Sequence, residues 1–127
     1  MTTDSPTQQI HTACIQKVEQ YIHEHIHEPL HRERLAAAAG FSVPHLHRIF
    51  IAQRGESIAS YVRRMRLIRA GRKLRIGAVD ITAVALAAGY DSHAAFSKAF
   101  KQQFGLSPSE FRALGCGAAT QMLRALG

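Results

Sequence analysis

The chain has 127 residues, 46% of them hydrophobic, enough for one compact body or two very small ones sharing a helix and too few for a deep catalytic pocket. Sixteen Lys and Arg against nine Asp and Glu give a net charge of +7 and a pI near 10.1, which points to a polyanionic partner. No stretch is long enough to span a membrane, and Met1-Thr2-Thr3-Asp4 lacks the start of a secretory signal, so a cytoplasmic protein with no membrane partner is expected. Cys14 and Cys116 fall into no metal or redox spacing, as suits a reducing compartment.

Helical periodicity runs through almost the whole sequence, and no Val/Ile/Thr-rich alternating run argues for a strand. The expected class is all-α: two helix-turn-helix subdomains joined by a long central helix, seven or eight helices in total. A first helix is expected from about residue 7 to Ile26, with Ile10, Cys14, Val18, Tyr21, Ile22 and Ile26 on its inner face and Pro29 as its stop. His23, His27 and His31 follow at intervals of four and would align imidazoles for a metal on an unbroken helix. Pro29 interrupts that helix, and no Cys or carboxylate completes a ligand set, so a solvated His-rich helix end is preferred and no cofactor is expected.

Next comes the first copy of an internal repeat. Leu35, Ala36, Ala39, Gly40 and Phe41 recur as Val84, Ala85, Ala88, Gly89 and Tyr90, and Phe50, Gly55, Ser57 and Tyr61 recur as Phe100, Gly105, Ser107 and Phe111. Each copy has the grammar of a helix-turn-helix, a short helix, a Gly turn and a crossing helix. Ala36 and Ala85 permit close approach of the two helices, Gly40 and Gly89 supply the positive φ that ends the first helix, and Ser42 and Ser92 cap the second.

Between the copies, Ser57 caps one long helix that runs to about Ile76 and whose apolar stripe changes sides. Ile58, Tyr61, Val62 and Met65 are expected on one subdomain, Leu67, Ala70, Gly71 and Leu74 on the other. At about 19 residues it is roughly 28 Å long, comparable to the ~34 Å turn of duplex that separates successive major-groove sites on one side. Positive charge crowds here as Arg63, Arg64, Arg66, Arg69, Arg72, Lys73 and Arg75. Arg63 and Arg64 lie off the apolar face; Arg66, Arg69 and Lys73 share another face and read as solvated. The expected organisation is therefore a subdomain at residues 1–56, the connecting helix at 57–77, a second subdomain at 78–114 and a tail at 115–127 of unknown role. That tail either docks as a helix through Met122, Leu123 and Leu126 or frays.

The second copy contains the most specific run: Ile81-Thr82-Ala83-Val84-Ala85, Ala88-Gly89-Tyr90, Phe96-Ser97-Lys98-Ala99-Phe100-Lys101 and Phe104-Gly105-Leu106-Ser107-Pro108-Ser109-Glu110-Phe111-Arg112. With Leu35-Ala36 and Arg66-Leu67, it resembles the DNA-binding domain of the AraC/XylS family of transcription regulators, over about Ile15 to Leu114. The chain is similar to the short MarA/SoxS-type members, which consist of that domain alone. The resemblance implies a seven-helix domain that inserts two recognition helices into adjacent major grooves as a monomer, and an activator that contacts RNA polymerase. His31 stands where the family usually has a Ser or Thr cap.

Helical spacing then selects the candidate contacts. In the first recognition helix Leu46, Ile49 and Phe50 point inward, leaving Pro44, His47, Arg48 and Ile51 to face DNA bases. Arg48 can donate two bonds to guanine O6 and N7. In the second, Phe96, Phe100 and Phe104 form the core stripe, leaving His93, Ala94, Ser97, Lys98 and Lys101 outward. Lys98, a point charge rather than a fork, suits a phosphate or a loose guanine contact. Ser42, Ser57, Arg63, Ser92, Lys101, Ser107 and Ser109 are the candidate phosphate contacts, Ser57 and Ser107 through the free amides of the helix starts they cap. Capping alone also accounts for those serines.

No nucleophile stands with a base and oxyanion donors, so an enzyme is not expected. The reading is a monomeric, sequence-specific double-stranded DNA-binding regulator, with an activating role and RNA polymerase as a second partner. Two alternatives are a protein-interaction adaptor on the polymerase and a His-rich metal-responsive regulator.

Overall fold

The computed structural model describes residues 6–77 and 79–126. Met1 to Asp4 and the Leu126 side chain, both used in the sequence reading, lie outside what it describes. Among the described residues there are eight α-helices and no strand: α1 (Pro6–Glu24), α2 (Arg32–Ala39), α3 (Val43–Arg54), α4 (Ile58–Leu74), α5 (Ile81–Ala87), α6 (His93–Phe104), α7 (Pro108–Ala113) and α8 (Cys116–Leu126). No single one is long and apolar enough to cross a membrane. The chain divides within α4, between Val62 and Arg63, into two compact units.

In the first unit α1 packs on both α2 and α3. The core takes Ile15, Val18 and Ile22 from α1, Ile26 from the turn after it, Leu35 and Ala36 from α2, Leu46, Ile49 and Phe50 from α3, and Ile58, Tyr61 and Val62 from the start of α4. The inner face of α1 is rotated from the expected one. Ile10 is 59% exposed and Cys14 only half-buried, while Ile15, absent from the expected stripe, has no exposure at all. The helix also stops at Glu24, so His27 and His31 are not on it, and among the described residues no three metal-ligating side chains gather.

Gly40 ends α2 at φ 77°, and the chain bends by 78° into α3. An L-residue with a side chain is strained at that φ, which is why glycine stands there. Around the edge of the core, the Phe50 and Tyr61 rings meet edge-on at 5.5 Å, and the Tyr61 hydroxyl lies 2.9 Å from His23 Nε2. Glu19 pairs with Arg54 across α1 and α3.

The second unit is built on a cluster of phenylalanines in tilted and edge-on contact. Phe96, Phe100 and Phe111 are fully buried and Phe104 nearly so, joined by Leu67, Ile68, Ala70 and Leu74 of α4 and Val84 and Ala85 of α5. Phe100 is their hub, with Phe104 at 4.3 Å, Phe111 at 5.2 Å and Phe96 at 5.5 Å between ring centroids. Burying each such ring contributes roughly 1.5–3 kcal/mol. Two expectations for α4 need correction. Met65 packs against this second core, and Arg66, Arg69 and Lys73 are half-buried rather than solvated, with Arg69 Nε wholly enclosed.

The tail docks instead of fraying. Ala119 and Leu123 of α8 are buried in the same core, and Met122 packs beside them. The contact uses Gly71, where an added Cβ would come within 2.7 Å of Leu123. Arg75 fastens the far side by donating to the Thr120 hydroxyl at 3.0 Å.

Candidate nucleic-acid interface

Two helices present the pattern expected of recognition elements, each within its own unit. At the start of α3 the Ser42 hydroxyl oxygen accepts from the His45 amide at 3.4 Å, and Pro44 sits in the first turn. Proline fits there because the amide it lacks would have had no partner within the helix. Leu46, Ile49 and Phe50 then anchor one side, and the opposite side presents Pro44, Arg48 and Ile51 to solvent, with His47 half-buried beside them. Ile51 is 47% exposed, an apolar group on the outside that suits a thymine methyl.

Helix α6 repeats the design. The Ser92 hydroxyl oxygen accepts from the Ala95 amide at 3.1 Å. Phe96, Phe100 and Phe104 fill the core, and His93, Ala94, Lys98 and Lys101 are exposed. Ser97 is half-buried, its hydroxyl 3.4 Å from His93 Nδ1. Neither α3 nor α6 contains an Asp or Glu along its whole length. A polyanion approaching either face therefore meets no carboxylate on that helix.

The flanking helix starts are equally well formed. Ser57 caps α4, accepting from the Ser60 amide at 3.1 Å. Ser107 and Glu110 form a reciprocal capping box at α7, with bonds of 3.2 and 3.0 Å. These bonds, with Ser107 itself, hold the Glu110 carboxyl below the ordinary glutamate value, the Lys101 charge adding a smaller pull. Ser109 is exposed and Ser107 partly so. Arg63 is exposed at the start of the second unit's share of α4, near Tyr90. Burial pushes the Tyr90 phenol up, with Arg63 and Arg66 pulling the other way. Gly89, at φ 92°, makes the turn before Tyr90, a backbone conformation that a residue with a side chain rarely adopts.

The structure adds residues that helical spacing on α3 alone does not select. His45 lies on the shoulder of α3, one turn before Arg48, and His11 of α1 comes beside it at 6.0 Å between ring centroids. His11 carries no local motif; only the packing of α1 on α3 brings it there.

A family profile described as "Helix-turn-helix domain" matches residues 35–114. The chain is 34% identical over 102 residues to the regulatory protein SoxS of Escherichia coli, covering 80% of this chain and 95% of that protein. The chain belongs to the AraC/XylS family of helix-turn-helix transcription regulators. Its relatives are regulators, not enzymes. It is also 37% identical over 92 residues to the right origin-binding protein of Escherichia coli, covering 72% of this chain but only about a third, 32%, of that relative's length.

Solved structures agree with the family. A transcriptional regulator from Chromobacterium violaceum, of the proteins containing an AraC-type DNA-binding domain, superposes with a TM-score of 0.76 at 28% identity, over 80% of this chain and 91% of that one. The DNA-binding domain of AdpA, solved in complex with a target DNA, gives 0.70 at 30% identity, over 79% and 90%.

Proposed function

We propose that this AraC-family regulator binds an asymmetric double-stranded DNA site as a monomer, with α3 and α6 each entering a major groove. The observation that carries the reading is the paired construction of the two helices. Each is capped by serine and pinned by a buried stripe, and each turns an acid-free outer face to solvent. Such a helix fits a major groove, where Arg48 would read guanine and Ile51 and His47 its neighbours. Pro44 would brace the same edge. On α6 the groove-facing set is His93, Ala94, Ser97 and Lys98. With a single Lys, a small Ala and a short hydroxyl, it contributes charge and fit more than forked hydrogen bonds.

Phosphates flanking the grooves would be held by Ser42, Ser57, Arg63, Ser92, Lys101, Ser107 and Ser109, several at helix starts where free amides favour an anion. Activation of transcription through RNA polymerase, in the cytoplasm, completes the proposal. Purified polymerase and a promoter carrying the preferred site would test it by transcript yield.

The reading is tested first by selecting preferred duplexes from a randomised pool and measuring affinity against salt. The expected plot of log affinity against log salt is a falling line, losing about 0.9 in slope for each phosphate neutralised. A flat line on the selected duplex contradicts the electrostatic part of the account.

A further inference from the structure

On the shoulder of α3, beside its exposed face, lies a groove of about 610 Å³ whose polar walls are Gln8, His11 and Thr12 from α1 and His45, Arg48 and Gln53 from α3. Its chemistry is one-sided. Among the described residues that line it there is no carboxylate, whereas the side-chain amides, two imidazoles and a guanidinium offer N–H donors and the Thr12 hydroxyl spends its O–H within the protein. The groove is braced from within. The Thr12 hydroxyl sits 3.1 Å from Gln53 Oε1 and 2.9 Å from the Gln8 carbonyl oxygen, and Phe41, in the turn between α2 and α3, meets the edges of both imidazoles, His11 at 5.9 Å and His45 at 4.7 Å. The two histidine rings stand nearly perpendicular, at 89°.

We infer that this groove seats a backbone phosphate of the bound duplex, held by His11 and His45, while Arg48 at the edge of the groove keeps its base contact and adds its charge. The inference rests on the DNA reading of α3 proposed above. Arg48 belongs both to the outer face of α3 and to the groove, so a duplex laid on that face brings its own phosphates to the groove mouth. Gln8 and Arg48 at the mouth are exposed, while His11, Thr12, His45 and Gln53 are half-buried, a depth that suits a phosphate pressed in from the side.

Among the described residues, three groups decide the charge in the groove: His11 from α1, and His45 and Arg48 from α3; the turn between α2 and α3 offers the neutral Phe41. A phosphate set between the two imidazoles would favour their charged form, so binding takes up protons. Histidine is the side chain whose charge changes between about pH 8 and 5, and the duplex should therefore bind more tightly as pH falls through that range. His47 and His93, on the outer faces of α3 and α6, are imidazoles outside the groove and must be separated from the pair.

The experiment measures affinity for the selected duplex at constant salt at about pH 6 and about pH 8. It compares the natural protein with the His11→Gln/His45→Gln double variant, with His47→Gln and with Gln8→Glu. The natural protein is expected to bind roughly tenfold more tightly at the lower pH, with a salt slope steeper there by about one phosphate. The double variant should lose most of that gain, His47→Gln should keep it, and Gln8→Glu, which brings a carboxylate to the groove, should weaken binding at both pH values. A folded double variant that retains the full gain overturns the inference. If the double variant fails to fold, as read by its helical circular dichroism, Gln8→Glu decides, and unchanged affinity in that exposed substitution overturns it. Saturation of the His11 and His45 proton resonances by inorganic phosphate in the absence of duplex assigns the groove to a small free anion and overturns it as well. Absence of duplex binding at either pH removes the DNA reading itself, and the groove inference with it.

Discussion

Arg48 stands on the exposed side of α3 directly opposite a fully built core, so its replacement tests chemistry with little effect on folding. Arg48→Ala is expected to cost about 1–3 kcal/mol on the preferred duplex and to relax one base position, whereas Lys98→Ala should weaken many sequences more evenly. Binding curves on selected and scrambled duplexes at one salt concentration separate the two. Equal losses for Arg48→Ala on every sequence would remove its reading role. Glu110 offers a second test at this scale. Its carboxyl, held below the ordinary glutamate value of 4.5 by the Ser107 amide first and the Ser107 hydroxyl second, stabilises the fold while ionised. That contribution is fully present above the ordinary value and is lost as pH falls through it and below. The stability difference between the natural protein and Glu110→Ala, read from thermal unfolding, should therefore shrink in acid. A difference that stays constant from neutral to acid pH would show that the ionised capping box contributes nothing. Most of the outer-face residues were legible in the sequence, because the opposite stripe of Leu46, Ile49 and Phe50, or of the three phenylalanines, fixes which way a helix must turn. His11 was not, since its place beside His45 comes from how α1 packs on α3.

At the scale of elements, caps and glycine turns were the most readable features. Ser42, Ser92 and Ser107 cap the helices expected of them, because a short hydroxyl side chain before a helix start has one good use for its oxygen. The inner face of α1 was misjudged. Val18, Ile22 and Ile26 of the expected stripe are buried, but Ile10 and Cys14 fit the same spacing as Ile15, and the packing of α2 and α3 selects Ile15. The two halves of α4 were separable in outline, but the places of Met65 and of the half-buried Arg66 and Arg69 depend on the packing of the second unit. Helix α8 was the least legible, since Met122 and Leu123 suit a docked helix and a frayed tail equally well until Gly71 is seen to leave a place for Leu123. Leu123→Ala should cost about 2–5 kcal/mol, the usual range for emptying a buried leucine site. Denaturant unfolding followed by circular dichroism measures it. A loss of a few tenths of a kcal/mol would mean that α8 contributes little to the second core.

For the whole molecule, the internal repeat and the family run of α5 to α7 made the all-helical class and the two helix-turn-helix units readable before any coordinates. The charge imbalance gave the polyanion as partner but neither the helices that meet it nor the bases they read. Chemical footprinting of the major groove, by guanine N7 methylation on the selected duplex, tests the central claim most directly. The account predicts two protected segments about one helical turn apart on one side of the duplex, the first lost in Arg48→Ala. Protection of one segment only would contradict it.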